Sequence, residues 1–139
     1  MSSLKRILGI DYGSKRIGIA VSDPLGIIAQ GVSVVANSST MINEIKKLVH
    51  EYSAEMIVVG MPLNLKGEKG IKAEEVEKFI TQIEKELQIE VVRFDERFTS
   101  KMAHQTLRDM EVKKKKRQAK GTIDRMAAAL ILQGYLDSH

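Results

Sequence analysis

Asp11, Glu96 and Asp124 lie far apart along the chain, yet each carries a carboxyl where its neighbours argue for apolar company. Asp11 follows Ile7, Leu8 and Ile10, whose alternation puts apolar side chains on both faces of a strand. An unpaired carboxylate inside such a strand costs several kcal/mol or takes up a proton. It needs a buried basic partner, the backbone N–H groups of the turn at Gly13 and Ser14, or a bound cation. In "RFDERFTS", residues 93–100, alternation places Arg93 and Asp95 on one face and Val92, Phe94 and Glu96 on the other. Glu96 therefore shares a face with apolar groups; Asp95 stays in contention because strand ends shift by a residue, and an ordinary acidic loop start is the plainer alternative. On the last helix, 100° per residue aligns Asp124 with Ala128, Ile131 and Tyr135 and sets it opposite Gln133, nearest the polar side. An acid in a first helical turn is also favoured by the macrodipole, but that suits an exposed aspartate better than one on an apolar stripe.

Three carboxylates cannot converge at neutral pH without a counter-charge. The chain has no Cys and no paired His, so hard oxygen ligands point to Mg2+ or Mn2+ held by Asp11, Glu96 and Asp124. His50, His104 and His139 read as surface or partly buried residues. Carboxylate-bound metal beside a phosphate-binding strip is the arrangement for in-line phosphodiester cleavage. The strip is "KKKKRQAK", residues 113–120: Lys113, Lys114, Lys115, Lys116, Arg117 and Lys120 are six of the 22 basic side chains, with none of the 18 acids among them. The rest of the chain is net acidic, so the formal charge of +4 resides in one segment. That is either a footprint for a nucleic-acid backbone or a solvated basic loop. Lys15 and Arg16, in the first hairpin, could hold a substrate phosphate or form a polar turn. Arg97 could contact phosphate or make a salt bridge. Gly60 either clears space between Asp11 and Glu96 or marks a bulge or strand end.

Periodicity supplies the elements that must position these groups. Residues 6–12, 17–22 and 27–35 read as three strands joined by short turns at "GSKR" and "DPLG", hence consecutive antiparallel neighbours. The period then changes to a helix over 40–52 with a stripe of Ile42, Ile45, Leu48, Val49 and Tyr52. A buried strand at 56–62 stops at Pro62, a loop spans 63–70, a helix carries Val76, Phe79, Ile80, Ile83 and Leu87, and a strand follows at 89–96. Thr99 and Ser100 can cap a helix to about Met110, and "TIDRMAAALILQGYLD" closes the chain as a helix. This is an α/β pattern: a five-stranded mixed sheet in the order 3-2-1-4-5, strand 2 antiparallel, flanked by helices. The strands ending at Asp11, Gly60 and Glu96 then run parallel with their carboxyl ends at one edge, where open α/β sheets place their sites.

Length and composition bound the rest. A chain of 139 residues with 43% hydrophobic content can bury one ordinary core, so residues 1–139 are expected to form a single domain. The absence of Cys excludes a disulfide framework, a thiolate zinc site and a Cys nucleophile, and suits a reducing, cytoplasmic setting. "MSSLKRILGIDYG" lacks the unbroken apolar run and cleavage pattern of a signal peptide, and no segment is long enough to span a bilayer. Aromatic residues make up 4%, which leaves no stacking platform for single strands; recognition would rest on shape and backbone charge.

"GIDYGSKRIGIAVSD", "VVGMP" with the later "KGEKG", "FDERFTS" and "IDRMAAALILQGYLD" resemble, in order and spacing, the YqgF family of RuvC-like nucleases within the RNase H superfamily. The resemblance covers nearly the whole chain. It implies an RNase H-like fold and nuclease domain, acids at Asp11, Glu96 and Asp124, and action on the 5′ end of precursor 16S rRNA in the bacterial cytoplasm, or on four-way DNA as a Holliday junction resolvase. A fourth acidic ligand is not evident. "DYGSKRIG" also resembles the phosphate-binding hairpin of sugar kinase and actin-like ATPases, but those enclose a nucleotide between two lobes and this chain has room for one. A non-catalytic RNA-binding or transcription-associated module, with structural acids, is the further alternative. Monomer and homodimer both stay open.

Overall fold

A computed structural model describes residues 6–63, 69–98 and 120–139. The chain opens with β1 (Arg6–Tyr12), β2 (Arg16–Ser22) and β3 (Ala29–Ala36), then alternates α1 (Met41–Glu51), β4 (Ala54–Met61), α2 (Ile71–Leu87) and β5 (Glu90–Asp95). A single 3-10 turn, Glu96–Phe98, follows β5, and α3 (Lys120–Asp137) closes the chain. The five strands form one sheet in the order β3-β2-β1-β4-β5. β1 pairs antiparallel with β2 and parallel with β4, β2 pairs antiparallel with β3, and β4 pairs parallel with β5. That is the order and strand sense expected from the change of period after residue 35.

Alternation sorts the sheet into two faces. Leu8, Ile10, Ile17, Ile19, Ile57 and Val59 face α1 and α2, whose apolar stripes (Met41, Ile42 and Ile45; Val76, Phe79, Ile80 and Ile83) complete the larger core. Ala20, Val58 and Phe94 face the other way, onto Ala128, Ile131 and Leu132 of α3. The α3 face is built on small residues because the helix lies against the strands. A Cβ on Gly18 would stand 2.1 Å from the Asp124 carbonyl oxygen, so only glycine lets the start of α3 reach β2. Gly18 is also the partner of Asp11 across the β1–β2 ladder. That contact brings the beginning of α3 to the carboxyl end of β1.

Three details depart from expectation. The third strand begins at Ala29, not at residue 27, because Asp23 Oδ1 accepts the N–H groups of Ile27 and Ile28 at 2.6 and 2.9 Å and commits them to a turn. Ile27 and Ile28 are left 59% and 62% exposed. The fifth strand ends at Asp95, whose carboxylate takes the Arg97 N–H at 2.9 Å and turns the chain, so Glu96 begins the 3-10 turn. Gln133 does not face away into solvent: its amide donates to the Ile27 carbonyl and accepts from the Ala29 N–H, both at 2.9 Å, tying α3 to the β2–β3 loop. The helix expected to start at Thr99 and Ser100 and the basic segment through residue 119 lie outside the described residues. No described helix is long and apolar enough to cross a membrane.

Candidate active site

The carboxyl ends of β1 and β4 lie side by side, since Ile10 pairs with Val59, and Gly60 of β4 pairs with Phe94 of β5. The side chains of Asp11 and Glu96 project on the α3 face of this edge. Between them stands Gly60, where a Cβ would lie 3.1 Å from Glu96 Oε2 and 2.6 Å from Ile131 Cδ1. Its missing side chain is the space through which Glu96 reaches toward Asp11. Asp124, in the first turns of α3, completes the group from the β2 side.

The charges of the three acids act on one another. Burial pushes the Asp11 carboxyl above its ordinary value, and the charge of Asp124 pushes it further. Burial, then the charge of Asp11 and that of Asp95, raises Glu96 to about 7. Asp11 therefore sits between the other two. Its carboxylate has no hydrogen-bond partner among the described residues, which answers the question its sequence position raised: neither a buried base nor the turn at Gly13 binds it. As the side chains stand, no three His, Asp or Glu side chains among the described residues are gathered closely enough to hold an ion.

Among the described residues, two cations face these acids. Arg16 Nε donates to Asp124 Oδ2 at 2.6 Å, with the two side chains 33% and 19% exposed. The second is Lys72, in the first turn of α2, whose charge lowers the pKa of both Asp11 and Glu96 against the effect of burial. Sequence reasoning passed over Lys72. The available signal was a lysine at the start of a helix, where the macrodipole disfavours a cation unless something negative lies ahead of it.

The remaining expectations divide. Lys15 is exposed in the β1–β2 turn beside the site, its carbonyl accepting the Asn37 N–H. Arg97 makes a salt bridge: its Nε meets both Asp95 carboxylate oxygens at 2.9 and 3.0 Å, which holds Asp95 below the usual carboxylate range. Lys113, Lys114, Lys115, Lys116 and Arg117 lie outside the described residues, as does the side chain of Lys120, whose backbone opens α3. His50 is exposed at the end of α1, and His139 stacks on Tyr135 with ring centroids 4.1 Å apart.

A mixed sheet in this order, with acids at its carboxyl edge and a closing helix laid on glycines, is the RNase H-like fold in the form taken by RuvC-type resolvases. Two solved structures share it: Thermus thermophilus RuvC in complex with a Holliday junction substrate (TM-score 0.53, 17% identity, 96% of each chain covered) and the Fowlpox virus resolvase in complex with Holliday junction DNA (TM-score 0.57, 12% identity, 96% of this chain and 97% of that one). At those identities the likeness speaks for the fold alone. The RuvX family, described as Holliday junction resolvase, matches residues 5–138. This chain belongs to that family, also called YqgF. Among its relatives are proteins of Ruminiclostridium cellulolyticum (43% identical, covering 95% of this chain and 94% of the relative) and Clostridium beijerinckii (47% identical, 95% and 96%). Both carry the name "Putative pre-16S rRNA nuclease".

Proposed function

We propose that this chain is a divalent-metal-dependent phosphodiester hydrolase of endonuclease type that acts on structured nucleic acid, processing the 5′ end of precursor 16S rRNA in the cytoplasm as a single-domain enzyme. The observation that carries this reading is the half-buried Asp11 carboxylate, which lacks a hydrogen-bond partner among the described residues and has Glu96 and Asp124 as charged neighbours. A carboxylate left in that state on a folded protein suits a cation that the protein does not itself supply. The donor set of three carboxylates fits Mg2+ or Mn2+, which Asp11, Glu96 and Asp124 would hold. When bound, such an ion supplies the Lewis acidity that phosphodiester hydrolysis needs.

The chain's own residues do the rest. Glu96, raised to about 7 by burial and by Asp11 in the metal-free protein, would give up its proton on binding the ion. Lys72, Lys15 and Arg16 ring the acids with positive charge and suit the non-bridging oxygens of a phosphodiester. Lys113, Lys114, Lys115, Lys116, Arg117 and Lys120 form the strip that would follow the nucleic-acid backbone on the approach to α3. Precursor rRNA is favoured over a four-way junction by the names the relatives carry at 43 and 47% identity. Purified full-length protein should cut a precursor 16S rRNA fragment with Mg2+ or Mn2+, and Asp11→Asn should abolish cleavage while still binding the RNA. RNA binding without metal-supported cleavage would replace the enzyme with a binding module.

A further inference from the structure

Arg16 and Asp124 form an ion pair unlike the other two arginine–carboxylate pairs among the described residues. Arg93 meets Glu77 through Nε and Nη2, touching both carboxylate oxygens, and Arg97 meets Asp95 through the same two nitrogens. These are forked pairs that use the guanidinium as a plane. Arg16 instead meets Asp124 at one point, Nε to Oδ2, and has no other hydrogen-bond partner among the described residues. Its two Nη groups keep their N–H donors, at the rim of a site already assigned to phosphate chemistry.

The pair stands on closely packed backbone. Arg16 lies two residues before Gly18 on the same face of β2, and Gly18 is pressed against the main chain of Asp124. Strand and helix start are thereby locked, and the pair can open by rotation of two part-exposed side chains. Arg16 holds Asp124 by a short hydrogen bond, and as the side chains stand the acids among the described residues are not gathered around a point. A guanidinium and a divalent cation cannot share Oδ2 without mutual repulsion at a few ångströms.

We propose that Arg16 is a built-in counter-ion for Asp124 that yields the carboxylate to an entering divalent cation and passes its guanidinium to a substrate phosphate. This rests on the metal-dependent reading above. Arg16 is a positioning residue in this scheme: it keeps Asp124 turned aside until metal arrives, then presents its unused Nη donors to the substrate. The consequence has an unusual sign. Removing an ordinary structural partner from a metal ligand loosens the ligand and weakens metal binding. Removing a competitor strengthens it.

Calorimetric titration of the full chain with Mn2+, without nucleic acid, tests the sign. Arg16→Gln should bind Mn2+ about three- to tenfold more tightly than the natural protein, the range expected for releasing a part-exposed charge-assisted pair. Arg16→Met, which keeps the aliphatic stem, should do the same if Arg16→Gln folds poorly. The gain should vanish in an Asp124→Asn background. In Ca2+, the slope of log affinity against log salt for an RNA duplex should flatten by about 0.9 in Arg16→Gln, one phosphate contact. Mn2+ binding by the natural protein that neither variant exceeds overturns the counter-ion role alone, and an unchanged salt slope overturns the transfer to phosphate. No Mn2+ binding by any of the proteins removes the metal site and this proposal with it.

Discussion

Glu96→Gln should stabilise this protein, and only above a definable pH. In the folded protein Glu96 is raised from 4.5 to about 7, chiefly by burial and then by Asp11. An unfolded chain releases that proton near 4.5, so between about pH 4.5 and 7 the folded state holds a proton the unfolded state has lost. Raising the pH through this window therefore favours unfolding, and the loss is complete above about 7. The gap corresponds to about 3 kcal/mol at most, and solvent screening of a part-exposed side chain reduces it to about 2 kcal/mol. Glutamine keeps the shape and cannot ionise. In the presence of a chelator, thermal melts at pH 4 should nearly coincide for the two proteins. At pH 8 the variant should melt higher by roughly 6 °C for a chain of this size. A difference independent of pH, or a variant less stable than the natural protein at pH 8, would refute the crowded-carboxylate account of the site.

Other outcomes follow from the same geometry. Lys72→Met removes the charge that lowers both Asp11 and Glu96, so the pH at which stability falls should move upward and the protein should lose stability at pH 8 in chelator, read by the same melts. Gly18→Ala places a Cβ 2.1 Å from the Asp124 carbonyl oxygen, a backbone atom that cannot swing aside; unfolding in urea should show a loss of about 3 kcal/mol. Replacing Lys113, Lys114, Lys115 and Lys116 with Ala should flatten the salt slope of duplex RNA binding by about 3 to 4, while turnover at saturating substrate changes little.

The sheet order was legible because it depends on local signals: two short turns, then helices between apolar strands. Those signals also delivered Asp11 to the carboxyl edge and, through alternation, set Glu96 on the face of Phe94. Asp124 was legible from its alignment with Ala128 and Ile131. What periodicity could not carry were side-chain pairings that depend on how distant elements meet. Arg16 and Asp124 are 108 positions apart, and their contact exists because Gly18 lets α3 touch β2. Lys72 acts on acids of other elements only through the placement of the start of α2. Gln133 was assigned to the polar side by angle, yet the β2–β3 loop folds over to meet it. Arg97, two residues on, binds Asp95 through both its backbone and its side chain, a pairing that alternation along the strand does not show.

The acids at this edge are proposed to cut nucleic acid with a divalent metal. The most direct measurement is cleavage, by one Mg2+-loaded preparation of the full chain, of a precursor 16S rRNA fragment and of a four-way DNA junction, with Asp11→Asn run in parallel. Discrete cleavage of the rRNA precursor near the mature 5′ end is expected, suppressed by chelator and absent in Asp11→Asn. Preferential cutting of the junction would move the substrate to branched DNA. Cleavage of the RNA that survives both chelator and Asp11→Asn would contradict the account outright.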